Sequence, residues 1–414
     1  MSKITIDPNI RYIEGTQRVL PPETTLENTT RLLPKIGVTR IANITDLDRV
    51  GIPVFSAIRP SAAAGAISIY SGKGATETNA RISAIMESFE RCLAEQPEVS
   101  INLSGIDLNT DKVVDTYESL SENYPALYPD ALLLPRPLSE LTRLEWIMGY
   151  DIMNDIEVFV PSNAVFHPYN PASGDQIFRS NTNGLASGNT IEEAVLHGLL
   201  EVIERDALSI AEFTRNPGKE IILSDNDGLN YELKRRMEEA GIGVKLWLLE
   251  SDVDIPTVVV ALDDNVLKDP ALLVMGAGAH LQPEIAVTRA LTEAAQSRVV
   301  QIHGAREDTD RERVVRTFGY DHMRKLNSYW LDDSVDLEQV QMDELVDSSS
   351  NTPAANISTV IEKLEGTADG AIIVDLSRGV DIPVIRAIIP MFELYTLDRE
   401  RKGERIKKKK RVSR

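Results

Sequence analysis

The 414-residue sequence holds one cysteine, Cys92, five histidines and only 5% aromatic residues. A single cysteine excludes a disulfide framework and any zinc site built on several thiolates, and it fits a reducing compartment. No apolar run approaches the roughly 18–20 residues that a membrane helix requires. The start, MSKITIDPNIRYIEG, lacks the positive-then-apolar pattern of a secretory signal. The expectation is a soluble, cytoplasmic protein with no membrane partner. Basic residues are in deficit, 44 Lys and Arg against 64 Asp and Glu, for a net charge of −20. That balance argues against general nucleic-acid binding. Charge is uneven, because Arg399 to Arg414 carries ten Lys and Arg against Glu400 and Glu404, leaving the rest of the chain more acidic still. Such an end is either a solvated terminus or an arm that meets an acidic partner or a polyphosphate.

What is present is a core and a repeat. Hydrophobic residues make up 42% of the chain, enough to bury a sizeable interior. Segments of helical period alternate with short β-branched runs, which predicts a mixed α/β (α+β) fold. Three times the pattern reads as strand, small-residue turn, helix. Ala66–Tyr70 meets the turn Ser71-Gly72-Lys73-Gly74; Val158–Pro161 and a polar loop around Ser180–Gly184 lead to the second helix; Leu272–Met275 and Gly276–His280 lead to the third. Residues 101–135 read as an insertion. Asp343–Asn351 reads as an acidic, Ser-rich linker before a helix near Ile357–Leu364, followed by strands at Ala371–Leu376 and Pro383–Ile389.

The first two helices end alike. GATETNARISAIMESFER (74–91) and GNTIEEAVLHGLLEVIER (188–205) align without a gap, sharing Gly74/Gly188, Thr76/Thr190, Glu87/Glu201, Glu90/Glu204 and Arg91/Arg205. The third, ALTEAAQSR (290–298), carries Glu293 and Gln296 at the same spacing. On the first helix Ile82, Ile85, Met86, Phe89 and Leu93 form the core face, and Ser83, Glu87 and Glu90 a stripe roughly 100° round from it. On the second, Glu193, His197, Glu201 and Glu204 align; on the third, Arg289, Glu293 and Gln296.

One acidic stripe is ordinarily a solvated face, and a neighbouring Glu–Arg pair contributes about 0–1 kcal/mol. Here the stripes border apolar faces, recur with their Gly and Thr, and follow small-residue turns. Carboxylates gathered together resist ionising unless a cation neutralises them. Magnesium favours carboxylates supplemented by phosphate oxygens, so convergence would make a Mg–nucleotide site. Ser71–Gly74 lacks P-loop spacing and Gly276-Ala277-Gly278 is not GxGxxG. Arg91, Arg205 and Arg289 could face phosphate or orient the glutamates. His197, His280 and His303 are read as structural, and no general base is assigned.

At these residues the chain resembles the YcaO family of ATP-dependent enzymes that activate peptide backbone amides. The resemblance rests on Ser83, Glu87, Glu90 and Arg91 (SxxxExxER), on Asn189, Thr190, Glu193, Ala194, Gly198, Leu199, Glu201, Glu204 and Arg205, and on Arg289, Glu293, Gln296 and Arg298. It implies a YcaO domain over 61–398, with 1–60 packed on it and 399–414 as a basic tail. It further implies ATP and Mg2+ as cofactors. Glu87, Glu90, Glu201, Glu204 and Glu293 would hold magnesium, and Ser83, Arg91, Asn189, Glu193, Arg205, Arg289 and Gln296 would contact ATP.

Family members differ in nucleophile: a peptide side chain gives an azoline, external sulfide a thioamide. Azoline-forming members commonly end in a proline-rich tail, whereas this chain has no proline after Pro390 and shows no fused leader-binding domain. Both departures, with the segments Ile36–Ala42 and Leu47–Val54, resemble the stand-alone methanogen members. That resemblance implies thioglycine formation in the methyl-coenzyme M reductase α-subunit, a TfuA-like sulfur-delivery partner, an external sulfide source and a homodimer. The alternatives are an azoline-forming cyclodehydratase, an accessory factor for ribosomal-protein S12 methylthiolation, and, in another class, a non-enzymatic carboxylate-rich metal binder.

Overall fold

The computed structural model describes residues 3–97, 113–304, 311–332 and 338–412. Its strands are β1 (Arg40–Asn43), β2 (Val54–Ile58) and β3 (Ile69–Lys73); β4 (Val113–Asp115), β5 (Leu144–Asp151), β6 (Ile156–Pro161) and β7 (Leu185–Ser187); β8 (Lys219–Ile222), β9 (Ile242–Leu248), β10 (Thr257–Asp264), β11 (Val274–Ala279) and β12 (Gln339–Gln341); and β13 (Ile372–Asp375) and β14 (Val384–Ile388). They form three sheets, β1-β2-β3, β4-β5-β13-β14-β7 with β6 on β5, and β11-β10-β9-β8-β12. All their pairings are antiparallel except β8 with β12. The principal helices are α1 (Pro22–Thr30), α2 (Glu77–Leu93), α3 (Ile191–Thr214), α4 (Pro283–His303), α5 (Pro353–Leu364) and α6 (Glu404–Val412).

The repeat is a capping device as well as a ligand pattern. Thr76 and Thr190 are the N-caps of α2 and α3, their side chains accepting from the backbone N–H of Asn79 and Glu193. Each satisfies an N–H that the first helical turn would otherwise leave unpaired. The helix α4 starts instead on Pro283 at its first position, where a missing N–H costs nothing.

The small residues before α2 and α4 lie in strands, not turns, which corrects the expected boundaries. β3 runs through Ser71-Gly72-Lys73, and β11 through Gly276-Ala277-Gly278. The reason is close packing. A Cβ on Gly72 would stand 1.9 Å from the backbone nitrogen of Ala84 in α2, and one on Gly276 would stand 2.2 Å from that of Ala294 in α4. Glycine lets each helix lie directly on its strand.

Every acidic helix bridges two sheets. α2 packs on β2 and β3 and reaches β7. The first half of α3 packs with Ile385 and Ala387 of β14, and its second half with Trp247 and Val259 of the third sheet. α4 lies on β10 and β11 and touches β3. The helices therefore ring one central space. Arg298 of α4 is fully buried and serves this architecture, pairing with Asp48 at 2.8 Å and Asp264 at 3.0 Å.

Of the insertion read at 101–135, residues 101–112 lie outside the described residues, and the remainder supplies β4 and short helical turns. α5 starts at Pro353, four residues before the expected point, because Thr352 caps it through Ala355 N–H. Residues 3–60 share the core of α2 through Leu32, Ile36, Phe55 and Ala57. The root of the basic end is buried: Arg401 stacks 3.8 Å from the Phe178 ring centroid, Arg405 pairs with Asp206 at 2.8 Å, and Ile406 is fully enclosed. No helix among the described residues is long and apolar enough to cross a membrane.

Candidate functional site

The space ringed by α2, α3 and α4 is a cavity of about 1420 Å³. Ser83, Glu87, Glu90, Arg91, Asn189, Glu193, Glu201, Glu204, Arg205, Arg289, Glu293 and Gln296 all line it. Three stripes far apart in sequence thus face one another. Ile82 and Met86, expected in the core face of α2, line the cavity too, while Ile85, Phe89 and Leu93 are buried.

Each carboxylate is held by its neighbours. Glu90 accepts from Ser187 N–H at 2.9 Å and from Ser187 Oγ at 2.7 Å, which ties α2 to β7. Glu204 accepts from Ala279 N–H at 3.2 Å, at the end of β11. Glu201 accepts from Gly184 N–H at 3.4 Å. Glu193 takes Asn189 N–H at 2.8 Å and Asn189 Nδ2 at 2.9 Å, and also Val19 N–H at 2.8 Å. Glu87 pairs with Arg91 at 2.6 Å, and Lys73 of β3 pairs with Glu293. Arg205 stands 3.6 Å from Glu204 and 3.9 Å from Glu293.

Charge in the cluster is unevenly compensated. Burial, then the Glu87 charge, lifts the Glu90 carboxyl well above its usual range. Burial, with Glu204 and Glu87 beside it, raises Glu201 to about 7 despite Arg205. Burial also raises Glu204 against the pull of Arg205, with Glu293 adding to the rise. Glu293 goes the other way: burial pushes it up, but Lys73 and Arg205 together outweigh burial and hold it low. His197 is neutral, because burial and the adjacent Arg289, 3.0 Å away, drive its pKa far down.

The residues present fit magnesium and a polyphosphate. The glutamates that converge here supply oxygen donors, and Glu90 and Glu201 resist carrying charge in the absence of a cation. Among the described residues, no group of three or more His, Cys, Asp or Glu side chains is arranged to hold a metal by itself. Magnesium takes one or two carboxylates and completes its shell with phosphate oxygens. Arg289 Nε is buried with no hydrogen-bond partner among the described residues, a donor that an anionic oxygen would satisfy.

Sequence reasoning missed several walls of this cavity. Lys73 stands at the end of β3, in a segment without P-loop spacing, four residues before the start of α2. Ile13, Thr16, Arg18 and Leu20 come from the N-terminal segment, and Thr25 Oγ1 donates to Asn189 Oδ1 at 2.8 Å. His167, Arg179 and Thr396–Arg399 also line it, with no local motif to announce them. Arg298, part of the third motif, belongs to the buried ion network and not to the cavity. His280 is buried, and His303 lies exposed at the end of α4, away from the cavity.

The chain is similar to known proteins in sequence and in fold. A YcaO from Methanopyrus kandleri, solved with AMPPCP and Mg2+ bound, superposes with a TM-score of 0.74 at 30% identity, over 93% of this chain and 95% of that one. An uncharacterized protein of Methanothermobacter thermautotrophicus is 48% identical over 395 residues, covering 94% of this chain and 98% of its own. An uncharacterized protein "in tfuA 3'region" of Rhizobium leguminosarum bv. trifolii is 32% identical over 303 residues, 70% of this chain and 69% of that one. The YcaO family model, described as a cyclodehydratase binding ATP and Mg2+, matches residues 71–393. Since that match begins at the strand under α2 and runs beyond α4, taking in every acidic stripe, the chain belongs to the YcaO family of ATP- and Mg2+-binding cyclodehydratases.

Proposed function

We propose that this protein uses Mg–ATP to phosphorylate the oxygen of a polypeptide backbone amide, with external sulfide replacing that oxygen to leave a thioamide. The observation that carries the reading is the one cavity into which α2, α3 and α4 turn six glutamates and three arginines. An amide carbonyl is a weak electrophile and its oxygen a poor leaving group. Hydrosulfide adds to the carbonyl carbon, and the resulting oxyanion takes the γ-phosphoryl group, releasing ADP. Phosphate then leaves as the C=S bond forms.

Glu87, Glu90, Glu201, Glu204 and Glu293 would between them hold magnesium ions, which would neutralise charge on the transferring group. The chain's own part is positioning and electrostatics. Arg289 offers its unpartnered N–H to a phosphate oxygen. Arg205, set between Glu204 and Glu293, places positive charge where the carboxylates meet. Arg91 anchors Glu87, and Ser83, Asn189, Glu193 and Gln296 complete the ATP-binding set.

Sulfide as nucleophile is supported by the tfuA neighbourhood named for the rhizobial relative, since a TfuA-like protein is the partner we assign to sulfur delivery. The methanogen relative supports a glycine of the methyl-coenzyme M reductase α-subunit as the target. A second reading, azoline formation from a peptide Cys, Ser or Thr, is favoured by the family's cyclodehydratase description. Mass spectrometry of the proteome of a deletion strain separates them. Thioamidation predicts loss of a peptide in which oxygen has been exchanged for sulfur; azoline chemistry predicts loss of a dehydrated one. An unchanged proteome refutes both.

A further inference from the structure

Beside the carboxylates lies a second cavity of about 310 Å³. Arg205, Glu293, Gln301 and Leu397 line both spaces, so the smaller one adjoins the larger beside the charged cluster. Away from that shared wall its lining combines the apolar Leu208, Val259, Ala261 and Leu331 and the Trp330 ring with two polar side chains, Glu212 and Asn327. Val259 and Ala261 of that lining belong to β10, paired on both sides within the third sheet, and the Trp330 carbonyl accepts from Trp247 Nε1 at 3.0 Å. Gln301 adds a polar clue, because its buried Oε1 has no hydrogen-bond partner among the described residues.

We propose that this annex receives an aromatic side chain of the polypeptide substrate, from a residue next to the amide being activated, so that an apolar neighbour selects the modification site. The inference rests on the amide-activating function proposed above. Its volume is at the small end for a ligand pocket, roughly 300–1,000 Å³, which suits one bulky side chain. Neighbouring residues of a chain lie about 3.8 Å apart at Cα, so a side chain seated in the annex leaves the adjacent amide at the wall shared with the nucleotide cavity. A substrate N–H would satisfy Gln301 Oε1, an acceptor costly to leave buried and unpaired.

The test uses the full-length protein with AMPPCP and Mg2+, and fluorescein-labelled capped heptapeptides of alanine around a central glycine, with Phe, Leu, Ala or Asp beside it. The Phe peptide is expected to bind at least about tenfold tighter than the Ala or Asp peptide. Ala261→Phe fills the annex from its floor and Leu331→Trp from its rim, where a larger side chain is better tolerated. Whichever variant folds by thermal melting is expected to bring the Phe peptide down to the Ala level while AMPPCP affinity by calorimetry stays unchanged. The inference is overturned by an absent apolar preference, by no peptide binding, by a preference surviving in a folded variant, or by AMPPCP binding lost with the preference. Wild-type protein that fails to bind AMPPCP–Mg2+ instead overturns the underlying function, so the two failures are separable.

Discussion

Glu201→Gln should make the ligand-free protein more stable at alkaline pH, and this tests whether the cavity is starved of positive charge. Burial raises the Glu201 carboxyl from 4.5 to about 7. A folded-state pKa above the unfolded value contributes stability that is complete below pH 4.5 and is lost as pH rises to about 7. Above pH 7 the wild type is therefore penalised by the whole shift, at most about 3 kcal/mol at 1.36 kcal/mol for each unit. Glutamine keeps the shape and an acceptor for Gly184 N–H but has no charge to bury. The assay is urea unfolding with EDTA, in steps from pH 4.5 to 9. The variant should match wild type at pH 4.5, gain through pH 7 and hold that gain above it. With Mg–ATP the order should reverse, because a ligand stabilises the form that binds it. A pH-independent difference, or a variant less stable at pH 8 without ligand, would refute the reasoning.

Glu87→Ala and Glu204→Gln should each lower Mg-dependent ATP hydrolysis by about 100-fold or more with unchanged circular dichroism; normal turnover in both removes the site. Lys73→Met leaves burial of Glu293 opposed mainly by Arg205, so its pKa should rise and the acid limb of the ATPase pH profile should move to higher pH. A limb that stays in place shows that Lys73 does not control Glu293. Gly276→Ala puts a Cβ 2.2 Å from the Ala294 backbone nitrogen, and unyielding backbone should cost about 1–3 kcal/mol in unfolding experiments. Thr190→Ala removes the cap on Glu193 N–H and should cost about 1 kcal/mol, with α3 fraying first at Ile191 by hydrogen exchange.

How legible the protein was depends on how local each feature is. The three acidic helices were readable because side chains three and four apart share a face, so Glu87 with Glu90 and Glu201 with Glu204 declared their stripes without any partner. The recurrence of Thr76 and Thr190 was visible, and its cause is equally local, a cap bond three residues long. Gly72 and Gly276 were misread as turn formers because glycine serves turns and close packing alike. Only the helix lying across each strand separates the two uses. Lys73 and the N-terminal wall went unnoticed because their partners, Glu293 and Asn189, lie far along the chain.

Local periodicity by itself determined the helices, their caps, their acidic faces and the type of cation those faces attract. Tertiary structure alone decided that the faces meet, since each helix must bury its apolar side across two different sheets and only that packing points three stripes inward. It also decided how the charges are shared. Glu201 and Glu293 are the same residue type at matching places in the pattern, yet burial raises one while Lys73 and Arg205 lower the other. Electrostatic energy depends on distance through space and on the water excluded along the way, and neither quantity is written in the order of residues.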